Sequence, residues 1–238
     1  FAPLLELNIT GGRYRALAAC VVGLAGAGMV AHKNEEVLET PCSIHLQPDD
    51  ELSFTPLPTG VRMYLALAGG IDSKQFMGSS SVDLNGNIGK PLTTGVVLGQ
   101  QQQRDVLITS LPHFQAHQFG ETVSLRLLPG PQASGEALSA LTRQVFGISQ
   151  ADRMGLRLVS NSGDVPNVPG GELTSEAVPI GTVQVPPGAA PIVLLHDRGS
   201  IGGYHKPAVI HPHDLHRAAQ LRQGQKLRFR LVDATTSS

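Results

Sequence analysis

Residues 175–206 read SEAVPIGTVQVPPGAAPIVLLHDRGSIGGYHK, and no other stretch constrains the fold so tightly. Two short apolar runs rich in Val and Ile flank a Pro-Pro-Gly turn, which is strand composition at strand length. The second run stops at Asp197-Arg198, and a Gly-Gly-Tyr-x-Lys loop follows at once. Special turns succeed one another too quickly for a helix of ordinary length to form between them. The stretch therefore specifies β structure with charged groups at its strand ends, and loops held on such a scaffold commonly carry function.

The remainder of the 238 residues has the same punctuation, with 27 glycines, 17 prolines and no tryptophan. Many short strands joined by Gly/Pro turns are the expectation, in one large β domain or two smaller ones. Lys and Arg total 18 against 19 Asp and Glu, a net charge of −1. That balance excludes a broad basic face for nucleic acid. Cys20 and Cys42 form no disulfide framework and read as reduced, buried thiols of a cytoplasmic protein. The apolar run over 16–31 holds three glycines and is shorter than the roughly 20 residues of a membrane span. Polar residues precede it, including Glu6, and no cleavage signal follows, so it does not read as a secretory leader either.

In the first half, strands are expected over residues 4–9, 14–28, 42–46, 51–56 and 61–68, with a polar stretch over 32–39. Residues 99–121, rich in Gln and His, read as a polar connection with a short strand at 106–109. Strands resume at 123–128, 154–159, 178–185, 192–195, 208–210 and 226–232. The spacing of Leu138, Leu141, Val145 and Phe146 predicts a helix over 136–146 that stops at Gly147. Asp214 reads as the N-cap of a second helical segment through Leu221.

Chemistry-bearing patterns are few. Gly23, Gly26 and Gly28 reverse the dinucleotide spacing, and no GxxxxGK[ST] string occurs, so strand or bulge glycines are the reading. His205, His211, His213 and His216 lack an accompanying cysteine and read as solvated or capping groups, with no metal site. Asp152-Arg153 and Asp197-Arg198 each adjoin a glycine or a Met-Gly pair. Two readings stand for them: ion pairs that lock turns, or guanidinium forks that hold a carboxylate or amide. Lys206, after Gly202-Gly203-Tyr204, reads either as a substrate-facing cation at a loop tip or as a surface lysine. No Ser/His/Asp arrangement or GxSxG elbow supports an acyl-enzyme hydrolase.

The strings LALAGGID (65–72), MGSSSVDL (77–84), LRLLPGPQ (125–132), ADRMGLRL (151–158), 175–210 and DLHRAAQLRQGQKLRF (214–229) run in order along the chain. On these the chain resembles the biotin-dependent carboxyltransferase-like family, which includes allophanate hydrolase subunit 2, the C-type subunit of 5-oxoprolinase, the carboxyltransferase region of urea carboxylase and the KipA regulator. The resemblance implies a mostly β protein of two cyclophilin-like β-barrel domains with one or two short helices. They would occupy residues 1–98 and 122–238, joined by 99–121. It further implies a cytoplasmic subunit of an ATP-dependent enzyme that opens 5-oxoproline to glutamate with B-type (KipI-like) and A-type subunits. A carboxyltransferase acting on urea, with biotin on a separate carrier, and a non-catalytic KipA-like regulator are the implied alternatives. Any ATP would be bound elsewhere, since no standard nucleotide motif is present here. The resemblance nominates Asp197, Arg198 and Lys206 as catalytic. Asp152, Arg153, Ser175, Glu176, Gln184, Gly202, Gly203 and Tyr204 are nominated to bind substrate. Three departures accompany it, one being an Asn87-Ile88-Gly89-Lys90 turn poorer in glycine than its usual counterpart. Family chains usually carry a further N-terminal segment ahead of the part matching residues 4–9, and residues 199–205 replace the family's usual Gln, Thr and Pro.

Overall fold

The computed structural model describes residues 2–83, 86–102, 119–160, 162–163, 165–168 and 173–233. Two compact units divide the chain, one from residues 1–58 and 62–116, the other from 59–61 and 117–238. Of the polar connection expected over 99–121, residues 103–118, with the strand at 106–109, lie outside the described residues.

The first unit contains strands β1 (Leu5–Asn8), β2 (Arg13–Arg15), β3 (Cys20–Gly26), β4 (Met29–Lys33), β5 (Glu36–Leu38), β6 (Cys42–Leu46), β7 (Glu51–Pro56) and β8 (Arg62–Leu67). They form two four-stranded sheets, ordered β1-β8-β3-β6 and β2-β7-β4-β5. Leu7, Val22, Leu24, Leu46, Met63 and Leu65 of the first sheet share one core with Met29, Ala31, Leu52 and Phe54 of the second. Each buried large side chain in that core contributes about 1.5–3 kcal/mol. The single run expected over 14–28 is divided, because a loop follows Arg15 and a turn at Gly26–Gly28 separates β3 from β4. The polar stretch over 32–39 includes the end of β4 and all of β5, which pair as a hairpin.

The second unit contains β9 (Thr122–Pro129), α1 (Gly135–Thr142), β10 (Val145–Ala151), β11 (Gly155–Ser160), β12 (Glu176–Ala177), β13 (Thr182–Val185), β14 (Ile192–Leu194), β15 (Ile201–Gly202), β16 (His205–Ile210), α2 (Leu215–Ala218) and β17 (Lys226–Leu231). Seven of the strands close a barrel in the order β10-β11-β14-β13-β16-β9-β17. Closure depends on β17, which lies parallel to β9 and antiparallel to β10. Alternation along β9 puts Val123, Leu125 and Leu127 in the core. Phe146 and Phe229, both buried, meet there with ring centroids 5.7 Å apart. Strands β12 and β15 pair outside the ring as a two-stranded ribbon.

Two expectations are corrected in this unit. The helix predicted over 136–146 ends at Thr142, and Val145, Phe146 and Gly147 begin β10. The apolar residues at 145 and 146 fit the helical period by coincidence: on the strand Phe146 and Ile148 point into the core, and Val145 is only partly buried. Asp214 caps no helix with its side chain. Its buried carboxylate instead accepts from the backbone N–H of Arg126 (2.7 Å) and from that residue's guanidinium (2.9 and 3.2 Å). Burial pushes the Asp214 carboxyl up, but the Arg126 hydrogen bonds and charge outweigh it and hold it below its ordinary value.

Candidate functional site

The nominated residues separate into a rim cluster around Lys206 and a loop cluster around Arg198. Strand β16 builds the first. Val183 pairs with Ala208 and Val185 with His205, so β16 carries one more residue than β13 between matched pairs. This is a β-bulge, a device that re-aims side chains, and it accommodates Pro207, whose missing N–H would break a regular ladder. Lys206 beside it is almost wholly enclosed, its side chain 1% exposed, and does not stand at a loop tip. Gly130 lets the chain after β9 run against this bulge. A Cβ there would collide with the Lys206 carbonyl oxygen and the Ala208 nitrogen.

The Lys206 ammonium donates to Glu176 Oε1 at 2.8 Å and to the Tyr204 carbonyl at 3.1 Å. Gln132 Nε2 donates to the same Glu176 oxygen at 2.7 Å, while Gln132 Oε1 accepts from the Lys206 backbone N–H at 3.1 Å. These hydrogen bonds from Lys206 and Gln132 hold the Glu176 carboxyl below the usual carboxylate range despite partial desolvation. Glu176 itself is 45% exposed and belongs to the ribbon. Gly202 pairs with Glu176 across that ribbon, and a Cβ on it would come within 2.8 Å of Nε2 of the buried Gln184. Leu173 N donates to the Gly203 carbonyl, and a Cβ on Gly203 would meet the Leu173 carbonyl oxygen at 2.7 Å. Ser175 and Tyr204 are exposed beside these residues. His205, expected to be solvated or capping, is buried, and its Nδ1 has no hydrogen-bond partner among the described residues.

The loop cluster is arranged differently. Arg198 points its guanidinium at backbone carbonyls, with Nε on Val178 (2.8 Å) and Nη1 on Leu195 (3.3 Å) and His196 (3.4 Å). It therefore ties the end of β14 to the segment after β12. Asp197 makes a two-pronged pair with Arg153, at 2.7 and 3.1 Å, with both side chains about two-fifths exposed. Asp152 Oδ1 accepts from the backbone N–H groups of Met154 (2.7 Å) and Gly155 (3.0 Å), which fixes the β10–β11 turn. The ion pair thus runs between the two loops, from Arg153 to Asp197, while Asp152 and Arg198 bond to backbone groups.

Gln132 is the rim residue that sequence reading leaves out. It ends the LRLLPGPQ string, directly after a Pro-Gly-Pro break, and that break is the signal that could have found it. Among the described residues no His, Cys, Asp and Glu cluster could hold a metal ion, and no helix is long and apolar enough to cross a membrane.

Residues 1–231 match the family model for the carboxyltransferase domain, subdomains A and B. The chain is 32% identical to the C-type subunit of Escherichia coli 5-oxoprolinase over 87% of its length and 67% of that protein's. It is 24% identical to a urea amidolyase of Lachancea kluyveri over 96% of its length, which is 14% of that protein. The crystal structure of TTHA0988 superimposes with a TM-score of 0.87 at 44% identity, covering 96% of this chain and 45% of that one. The chain thus spans from a seventh to two thirds of the length of these relatives. The match runs through the bulge, the ribbon and both loops described above, and the chain belongs to the carboxyltransferase domain family, subdomains A and B.

Proposed function

We propose that this chain serves as the C-type subunit of an ATP-dependent, cytoplasmic hydrolase that opens 5-oxoproline to glutamate with B-type and A-type partners. The observation that carries this reading is the similarity to the C-type 5-oxoprolinase subunit at 32% identity over 87% of the chain. A second relative of the same name, from Haemophilus influenzae, is 30% identical over 73% of it. Amide resonance makes a lactam a weak electrophile, so opening it needs both an energy source and stabilisation of negative charge on the carbonyl oxygen. ATP, bound on another subunit, supplies the first when present. For the second, the backbone of the Gly202-Gly203 loop would offer N–H donors, and Lys206 would hold the substrate beside it. Arg198, with Asp197, Arg153 and Asp152, would hold the loop in register. Ser175, Glu176, Gln184 and Tyr204 would line the substrate side.

A second reading, carboxyl transfer to urea with biotin on a separate carrier, is favoured by the urea amidolyase and urea carboxylase relatives. Two of these align over 95–96% of this chain.

Reconstitution with the B-type and A-type subunits separates the two. The expected result is glutamate release from 5-oxoproline that requires ATP, and a correctly assembled mixture that releases none overturns the first reading. Arg198→Ala should lower that turnover by about 10²-fold while the assembly persists, because misplacing a catalytic loop by about 1 Å costs that much.

A further inference from the structure

We infer that Lys206 and Gln132 form a carboxylate receptor and that Glu176 is its internal, displaceable occupant. The inference rests on the amide-opening reading and assigns the substrate an anionic group: a lactam bearing a carboxylate, as opposed to neutral urea.

The geometry carries the argument. Two donors from separate segments, Lys206 Nζ at 2.8 Å and Gln132 Nε2 at 2.7 Å, converge on one oxygen, Glu176 Oε1. Gln132 is oriented for this by accepting the Lys206 backbone N–H through its own Oε1. The amide therefore cannot turn its oxygen toward the site without losing a hydrogen bond. The two sides of the ion pair are unequal. The Lys206 side chain is 1% exposed, whereas Glu176 is 45% exposed and sits on a ribbon with two residues per strand. An enclosed ammonium left without an anion is strongly disfavoured, but a half-exposed carboxylate can swing into water at little cost. A ligand carboxylate placing one oxygen at the Glu176 Oε1 position would satisfy both donors, and Glu176 would pass to solvent. Charge is conserved at the receptor throughout. Glu176 then acts as a competitor, lowering apparent affinity by the fraction of molecules in which it occupies the receptor.

The assembled enzyme and the isolated chain test this separately. In the assembly, Glu176→Gln removes the competing charge and should lower the KM for 5-oxoproline several-fold. Lys206→Met should raise it about tenfold or more, with a smaller effect on the neutral analogue 5-oxoprolinamide. In the isolated chain, the Lys206 ammonium signal in 15N-resolved NMR should shift on addition of 5-oxoproline or acetate but not of 5-oxoprolinamide. The response should appear at lower concentration in Glu176→Gln, whose amide oxygen can still accept from Lys206 and Gln132, which keeps the test open if Lys206→Met does not fold. A raised KM in Glu176→Gln, or a Lys206 signal indifferent to both carboxylates, overturns the receptor. An assembly that ignores 5-oxoproline while the Lys206 signal answers carboxylates overturns the enzyme assignment and leaves the receptor standing.

Discussion

Asp50 shows how one side chain can fix the geometry of a turn and bring a pH dependence with it. In the loop between β6 and β7 its carboxylate accepts from the Gln47 backbone N–H (2.7 Å) and the Asn34 amide (2.6 Å), and it pairs with Lys33 at 2.9 Å. The Gln47 hydrogen bond, followed by those of Asn34 and Lys33, lowers its pKa to about 2. A carboxyl depressed in the folded state adds stability that is fully present above the unfolded value near 4 and is lost as pH falls through the folded one. Acid unfolding of the wild type should therefore steepen between about pH 4 and about pH 2. Asp50→Asn should flatten that limb, as followed by circular dichroism, and an unchanged acid limb would exclude this role. The pair between Arg126 and the buried Asp214 follows the same logic in the other unit, its aspartate also held low.

Among the elements, β16 is the one on which the rim depends. Its bulge sets the position of Lys206, and Gly130 is the residue that lets the neighbouring backbone approach. Gly130→Ala would press a methyl group into main-chain atoms of residues 206 and 208, which cannot rotate away. Overpacking of that kind costs about 2 kcal/mol. The expected result is a lower urea midpoint with an unchanged slope. Most elements here are legible in the sequence, because Val- and Ile-rich runs bounded by glycine and proline leave little choice but strand. Strand ends are less so: β16 begins at His205, three residues before its predicted start, since Pro207 looks like a strand breaker until the bulge is seen. The helix α1 is legible but overextended, as period alone cannot distinguish Val145 and Phe146 on a strand from the same residues on a helix. At the site, sequence nominates Lys206 and Glu176 separately. Their meeting is illegible because the pairing of β12 with β15, across an intervening hairpin, brings them together. Asp214 misleads for a similar reason, since its partner Arg126 lies on a strand far back in the sequence.

For the whole molecule, the central fact is that each unit closes around its own core. Phe229 lies on β17 against Phe146, wholly within the second unit. Phe229→Ala should cost about 3–5 kcal/mol. Hydrogen exchange should register that loss as faster exchange across β9–β17, while β1–β8 keep their protection. Equal acceleration in both units would mean that the two cores unfold as one. The parallel pairing of β17 with β9 also has a consequence during synthesis. The ring's first and last strands must lie side by side, so a nascent chain cannot complete the second barrel until its final strand has left the ribosome. Until then β9 and β10 present open edges to every other chain nearby. Among the described residues, the first unit's eight strands pair only with one another, so its two sheets can form while the second unit waits.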